Sequence, residues 1–158
     1  MLLPWLADRL VLSPTRHAIF PYGKARRLVP WRGGQIEVWC ERTGPAEASR
    51  DSIEPECFVL KLLGKAARAE RATLDPLDHW SDLAGEIWSV NPPANGGSSG
   101  RASLQTVALA PESVFEQLVR VADGRPIFIA GDSLGTMSAL YIAARHSHRG
   151  TLAGLILR

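Results

Sequence analysis

The period of the apolar positions changes repeatedly along the chain. Gln35-Ile36-Glu37-Val38-Trp39-Cys40-Glu41 alternates polar and apolar, the pattern of a half-buried antiparallel strand. Phe58 to Leu63 is instead an apolar run broken only by Lys61 and ended by Gly64, and Ile87-Trp88-Ser89-Val90 is a second short run ended by Asn91-Pro92-Pro93. Between them Ala66 to Ala72 holds helix-forming residues, and Ala94 to Gly100 has the composition of a loop. Pro111 suits the first turn of a helix, where its missing N–H costs nothing; Val114, Phe115, Leu118, Val121 and Ala122 then share one face, and Asp123-Gly124 closes it. Ile127 to Ala130 reads as a strand buried on both faces, Met137, Leu140, Tyr141 and Ala144 as the stripe of another helix, and Leu152 to Leu157 as a last strand. Strands alternating with helices in this way predict an α/β protein with an open, mostly parallel sheet and helices on both faces.

The first third is less regular. Pro4, Pro14, Pro21 and Pro30 exclude a long helix, so residues 1–34 read as a short helix and an extended arm, and 35–158 as the core. Thr43 to Pro55 reads as a loop. A length of 158 residues suffices for one domain, and 46% hydrophobic with 22% charged residues is a globular profile. The net charge of +2 is spread along the chain, and its densest basic stretch, Lys24-Ala25-Arg26-Arg27, has no interleaved aromatics, so no nucleic-acid surface is expected. No run reaches the roughly 18 apolar residues that would span a bilayer. Met1 to Leu6 lacks a basic leader, and the two cysteines, Cys40 and Cys57, have neither disulfide-framework nor metal-ligand spacing. Free thiols, a cytoplasmic setting, no metal and no cofactor are the expectation.

The chemistry is concentrated in Gly131-Asp132-Ser133-Leu134-Gly135, a G-x-S-x-G sequence with a buried strand leading in and a helix leading out. A nucleophilic serine needs that context. A sharp turn lifts its Oγ clear of the sheet edge, and Gly131 and Gly135 keep strand and helix free of side chains where they pass closely. The same turn puts the Leu134 N–H at a helix N-terminus, where it can donate to an oxyanion. A glycine-rich turn with a capping serine would satisfy the same pattern without chemistry. A P-loop is excluded because no lysine precedes Thr136, and the dinucleotide G-x-G-x-x-G spacing is not met.

From Phe58 to Arg158 the chain resembles the first two-thirds of a bacterial α/β-hydrolase of the serine-esterase or peptidase type. The resemblance implies a C-terminally truncated α/β-hydrolase core and cleavage of an ester, thioester or amide in a small-molecule substrate through acyl-Ser133. In that family a loop resembling His-Gly-x-Gly follows the third strand and gives the second oxyanion donor. Leu63-Gly64-Lys65-Ala66 stands there, making the Lys65 N–H the implied donor, with Ala66 and Ala67 where glycines are common. Asn95-Gly96-Gly97-Ser98 resembles the turn after the fourth strand, with Ala94-Asn95 in place of a glycine and an aromatic. Gly131 to Leu134 also spells the name motif of the GDSL hydrolases, although no aspartate follows Asp132.

An α/β-hydrolase supplies its acid and histidine after the serine. Here no Asp or Glu follows Asp132, and the later histidines, His146 and His148, fall at the far end of the outgoing helix. That is roughly 20 Å from the serine at 1.5 Å per residue, and both read as exposed helix-end residues. His17 and His79 precede the motif. The chain is therefore expected to be an incomplete hydrolase, or a non-catalytic α/β fragment or interaction module. Leu152 to Leu157, read as an edge strand without proline, bulge or inward charge, is expected to promote self-association.

Overall fold

The computed structural model describes residues 6, 8, 10–44, 54–80 and 83–158. The apolar N-terminus to residue 5 and most of the loop read between Thr43 and Pro55 lie outside them. Among the described residues six strands form one open, mixed sheet: β1 (Ala25–Trp31), β2 (Gly34–Thr43), β3 (Cys57–Leu62), β4 (Gly85–Val90), β5 (Ile127–Gly131) and β6 (Leu152–Leu157). Their order is β1-β2-β4-β3-β5-β6; β2 runs antiparallel to β1 and β4, and the β4–β3, β3–β5 and β5–β6 pairs are parallel.

The sheet begins inside the stretch read as an extended arm. A two-residue turn at Arg32-Gly33 pairs Trp31 with Gly34 and fixes the β1–β2 register. Pro30 is compatible with this because β1 is an edge strand, where a missing N–H breaks no inner ladder. In the basic stretch at its start Arg26 and Arg27 are exposed, Arg26 pairing with Glu37 at 2.7 Å, and Lys24 Nζ reaches the carbonyls of Ala69 and Ala72.

Every residue of β3 and β4 is buried, so both faces must be covered. On one face lie α1 (Leu104–Leu109), α2 (Pro111–Ala122) and α3 (Gly135–His146). Val114, Phe115 and Leu118 of α2 and Ala139 and Ile142 of α3 pack there on Val38, Leu60, Trp88 and Ile129. On the other face Leu74, Leu77 and Trp80, around a 3-10 turn at Leu77–His79, cover Val59, Ile87 and Ala130. Helical cover is thus present on both faces but unequal. Ala66 to Ala72, expected to be helical, contributes only a 3-10 turn at Ala69–Arg71.

Helix boundaries follow local chemistry. Pro111 opens α2, and Asp123 and Gly124, at φ of 47° and 84°, close it. α1 has no broad apolar stripe to announce it; a reciprocal cap starts it, with Ser103 Oγ accepting from the Thr106 N–H at 3.0 Å and Thr106 Oγ1 from the Ser103 N–H at 2.9 Å. The buried face of α3 is Ser138, Ala139, Ile142 and His146 rather than the expected Met137, Leu140, Tyr141 and Ala144. Small residues face the sheet because the helix sits close to it, and Leu140 is left 52% exposed.

β6 is the other edge strand. Its pairing shifts register at Ile127/Phe128, so Leu152 and Gly154 oppose consecutive β5 residues and Ala153 is extra. This is a bulge, a protection the sequence did not signal.

Candidate active site

The chain passes from β3 to β4 on one side of β3 and then crosses to β5 on the other. The C-terminal ends of β3 and β5 therefore form a topological switch point, the place where open α/β sheets bind ligands. Gly64 and Ser133 meet there: a Cβ on Gly64 would lie 3.2 Å from that of Ser133. Ser133 is exposed and has φ +50°, a conformation a non-glycine residue adopts at a cost of order 1–3 kcal/mol. Its N–H donates to the Arg158 carbonyl at 2.7 Å, and its carbonyl accepts from the Thr136 N–H and hydroxyl. Its Oγ has no hydrogen-bond partner among the described residues.

The glycines of the turn are required by space. A Cβ on Gly135 would overlap the Leu62 carbonyl oxygen, and one on Gly131 would come within 2.9 Å of Ala139 Cβ and Thr136 Cα. The strand and helix consequently touch, and the helix N-terminus is held beside the end of β3. Leu134, at φ −56° and ψ −30°, is the first residue in helical conformation. Among the described residues neither its N–H nor that of Lys65 has an acceptor. Both residues line one cavity with Gly64, of about 20 Å³, room for about one water. The structure thus brings Gly64, Lys65 and Leu134 together beside the serine.

Ala66 and Ala94, each standing where the family pattern has glycine, both take left-handed conformations, at φ 59° and 67°. A left-handed non-glycine residue costs roughly 1–2 kcal/mol, and glycine gives back roughly 0.5–1 through its looser unfolded state. Ala66→Gly and Ala94→Gly are each expected to stabilise the chain by about 0.5–1 kcal/mol. Urea unfolding midpoints at unchanged slope check this; a lowered midpoint for either variant would contradict it.

A buried polar network that the sequence pattern did not reveal holds the two loops. At the end of β4, the Asn91 amide donates to Glu37 at 2.8 Å and Glu70 at 2.9 Å, and its oxygen accepts from the Ala69 N–H at 2.9 Å. Glu37 also accepts from the Gly97 N–H and from Arg26, and its own N–H donates to Ser98 Oγ. Burial alone would raise the pKa of Glu37, but the donors from Gly97, Asn91 and Arg26 outweigh it and hold the carboxyl below its ordinary 4.5. A depressed folded value gives stability that is complete above 4.5 and lost as pH falls through the folded value. Glu37→Gln is expected to be less stable than the native chain at neutral pH and to lose less on acidification. Urea melts on either side of pH 4.5 measure this, and parallel acid declines would remove Glu37 from the account.

Other nucleophiles and bases are placed less favourably. The Cys40 thiol is pushed up to about 12 by burial and Cys57 is raised by the same cause, so neither offers a thiolate. His146 is buried rather than exposed: α3 lays its last turn on α2, setting the ring 5.0 Å from Phe115 and Nε2 2.8 Å from Glu112. It lies about 17 Å along the helix from Gly135 at 1.5 Å per residue. His148, His17 and His79 are exposed, His79 beside Asp75 at 3.5 Å. Asp75, Asp78 and His79, and likewise Glu112, Glu116 and His146, approach one another closely enough to hold a cation, but Arg158 and Arg145 already occupy Asp75 and Glu112.

No helix among the described residues is long and apolar enough to cross a membrane. No protein-family model matches the chain, and no curated protein matches it in sequence. Solved structures do. A serine hydrolase without a lid from Xanthomonas campestris is 16% identical, with a TM-score of 0.62 over 89% of this chain and 63% of its own. A highly thermostable carboxyl esterase from Bacillus coagulans is 19% identical, with a TM-score of 0.59 over 89% of this chain and 44% of its own. An esterase from Pyrococcus furiosus is 13% identical, with a TM-score of 0.59 over 90% of this chain and 53% of its own. The chain thus spans between 44% and 63% of the length of these three structures. With its sheet order, its glycine-flanked serine turn and these likenesses, the chain has the α/β-hydrolase fold.

Proposed function

We propose that this chain carries the nucleophile and oxyanion half of a serine hydrolase that cleaves an ester, thioester or amide through acyl-Ser133. One observation carries the reading: an exposed, left-handed serine stands at the switch point beside two unengaged N–H groups, those of Leu134 and Lys65. Unengaged donors of this kind can stabilise the negative charge that an acyl carbonyl develops under attack, and removing one typically costs about 2.7–4 kcal/mol of transition-state stabilisation. The serine hydrolase and esterases of the same fold support the substrate class. The two buried free thiols support a cytoplasmic setting.

The test is covalent. Incubated with an activated aryl acetate, the chain is expected to gain one acetyl group on the peptide containing Ser133, and Ser133→Ala to lose it. Acetylation confined to lysines, or equal on Ser133 and buried Ser138, would overturn the assignment.

A second reading, a non-catalytic α/β module, is favoured by one observation: His146, the only buried histidine among the described residues, is engaged by Glu112 far from the serine. On this reading β6 is the interaction surface, with Leu155 39% and Leu157 44% exposed. The 158-residue chain is expected to self-associate through this edge and Leu155→Lys to shift it towards monomer. Light scattering after size exclusion decides, and a monodisperse monomer before substitution removes the surface.

A further inference from the structure

Residues 10–17 cross the C-terminal ends of the parallel strands as a strap, held mainly through backbone atoms. Lys65 Nζ donates to the Leu10 carbonyl at 3.2 Å. The Thr15 N–H donates to Asn95 Oδ1 at 3.1 Å, and the Thr15 carbonyl accepts from the Gly96 N–H at 2.9 Å. Arg68, its side chain only 4% exposed and ion-paired with Glu70, donates to the carbonyls of Thr15 and His17, each at 3.1 Å. The strap is thus pinned to the loop after β3 and to the loop after β4. Between the pins, Leu12 and Ser13 line the same water-sized cavity as Gly64, Lys65 and Leu134.

We infer that Leu12 and Ser13 are specificity-determining residues: they wall the oxyanion pocket and restrict the acid portion of the substrate to a compact acyl group of acetyl size. The inference rests on the reading of Lys65 and Leu134 as oxyanion donors. The physical reason is space. A carbonyl oxygen replaces the one water the cavity admits, which draws the carbonyl carbon up to the cavity wall, and a longer chain on that carbon must displace Leu12, which the pinned strap cannot yield cheaply. One methylene pressed against a packed pocket wall is worth about 10–200-fold in discrimination.

Short carboxylates, the acid products of such a hydrolysis, probe the wall without any turnover. The full chain, labelled with nitrogen-15, is titrated with acetate and with butyrate while the amide resonances of Lys65 and Leu134 are followed. Acetate is expected to bind at least about tenfold more tightly than butyrate, and Leu12→Ala to shrink that ratio about fivefold or more with acetate affinity little changed. Leu12→Val, which keeps most of the packing, is expected to move the ratio in the same direction by less. Equal affinities in the unmodified chain, an unchanged ratio in both variants, or no movement of either amide overturns the inference. The two readings fail separately: acetylation of Ser133 with equal carboxylate affinities removes the wall alone, whereas a preserved carboxylate ratio without acetyl-Ser133 removes the nucleophile alone.

Discussion

Gly135→Ala is expected to cost the chain about 3 kcal/mol or more, enough to leave much of it unfolded, while Gly150→Ala stays within about 0.5 kcal/mol of the native chain. The difference is local geometry. A methyl group on Gly135 would overlap the Leu62 carbonyl oxygen and also come within 3.0 Å of that of Leu63. These are backbone atoms at the end of a central, fully buried strand, so no side chain can swing aside. Relief requires α3 to move off β3, which unpacks Ala139 and Ile142 from the core and carries Leu134 away from Lys65. A methyl group on Gly150 meets nothing within 4 Å. Gly131→Ala should fall between, since its closest neighbours, at 2.9 Å, include the Cβ of Ala139, a side-chain atom that a small helix shift can relieve. Urea unfolding of the three variants measures the order. Equal stabilities for Gly135→Ala and Gly150→Ala would mean that strand and helix are not in contact, and the site geometry would fall with them.

That steric demand explains why the serine turn could be read from the sequence. Backbone contact at Gly131 and Gly135 permits no side chain, so the requirement is written directly in residue types. The parallel strands were legible for a related reason: β3 and β5, covered on both faces, must be apolar almost throughout. The strap left no such trace. Its contacts run through the carbonyls of Leu10, Thr15 and His17, which any residue would present. The network of Glu37, Asn91, Glu70 and Arg68 was equally silent, because a polar residue in an alternating strand, as Glu37 is, or in a loop or short turn, as the other three are, reads as solvent-facing until its partners are known. For α3 the signal misled. Leu140 points outward and Tyr141 is only half-buried at the edge of the core, while Ser138, Ala139 and Ile142 form the face against the sheet.

Purified as the 158-residue chain, the protein is expected to show no steady esterase turnover on activated aryl esters, remaining far below the median enzyme's rate of about 10 per second. The elbow and its two donors stabilise an oxyanion, and an oxyanion hole without a working triad retains only about 10³–10⁴-fold over water. The serine hydroxyl still has to lose a proton as it attacks, and no base in the described structure is engaged with it. His146 is held by Glu112 at 2.8 Å, and His79 sits among Asp75 and Asp78. Free imidazole should therefore raise the rate of acetyl transfer to Ser133 in proportion to its neutral form, because it supplies the missing general base. Ser133→Ala should abolish that increment, while a His146→Gln variant should respond to imidazole as the native chain does. The rate at which acetyl-Ser133 forms with and without imidazole, across the pH range where imidazole deprotonates and corrected for ester cleavage by imidazole alone, carries the test. An imidazole-independent turnover near 10 per second that disappears in Ser133→Ala would mean that a base within this chain reaches the serine, and the incomplete-hydrolase reading would be lost.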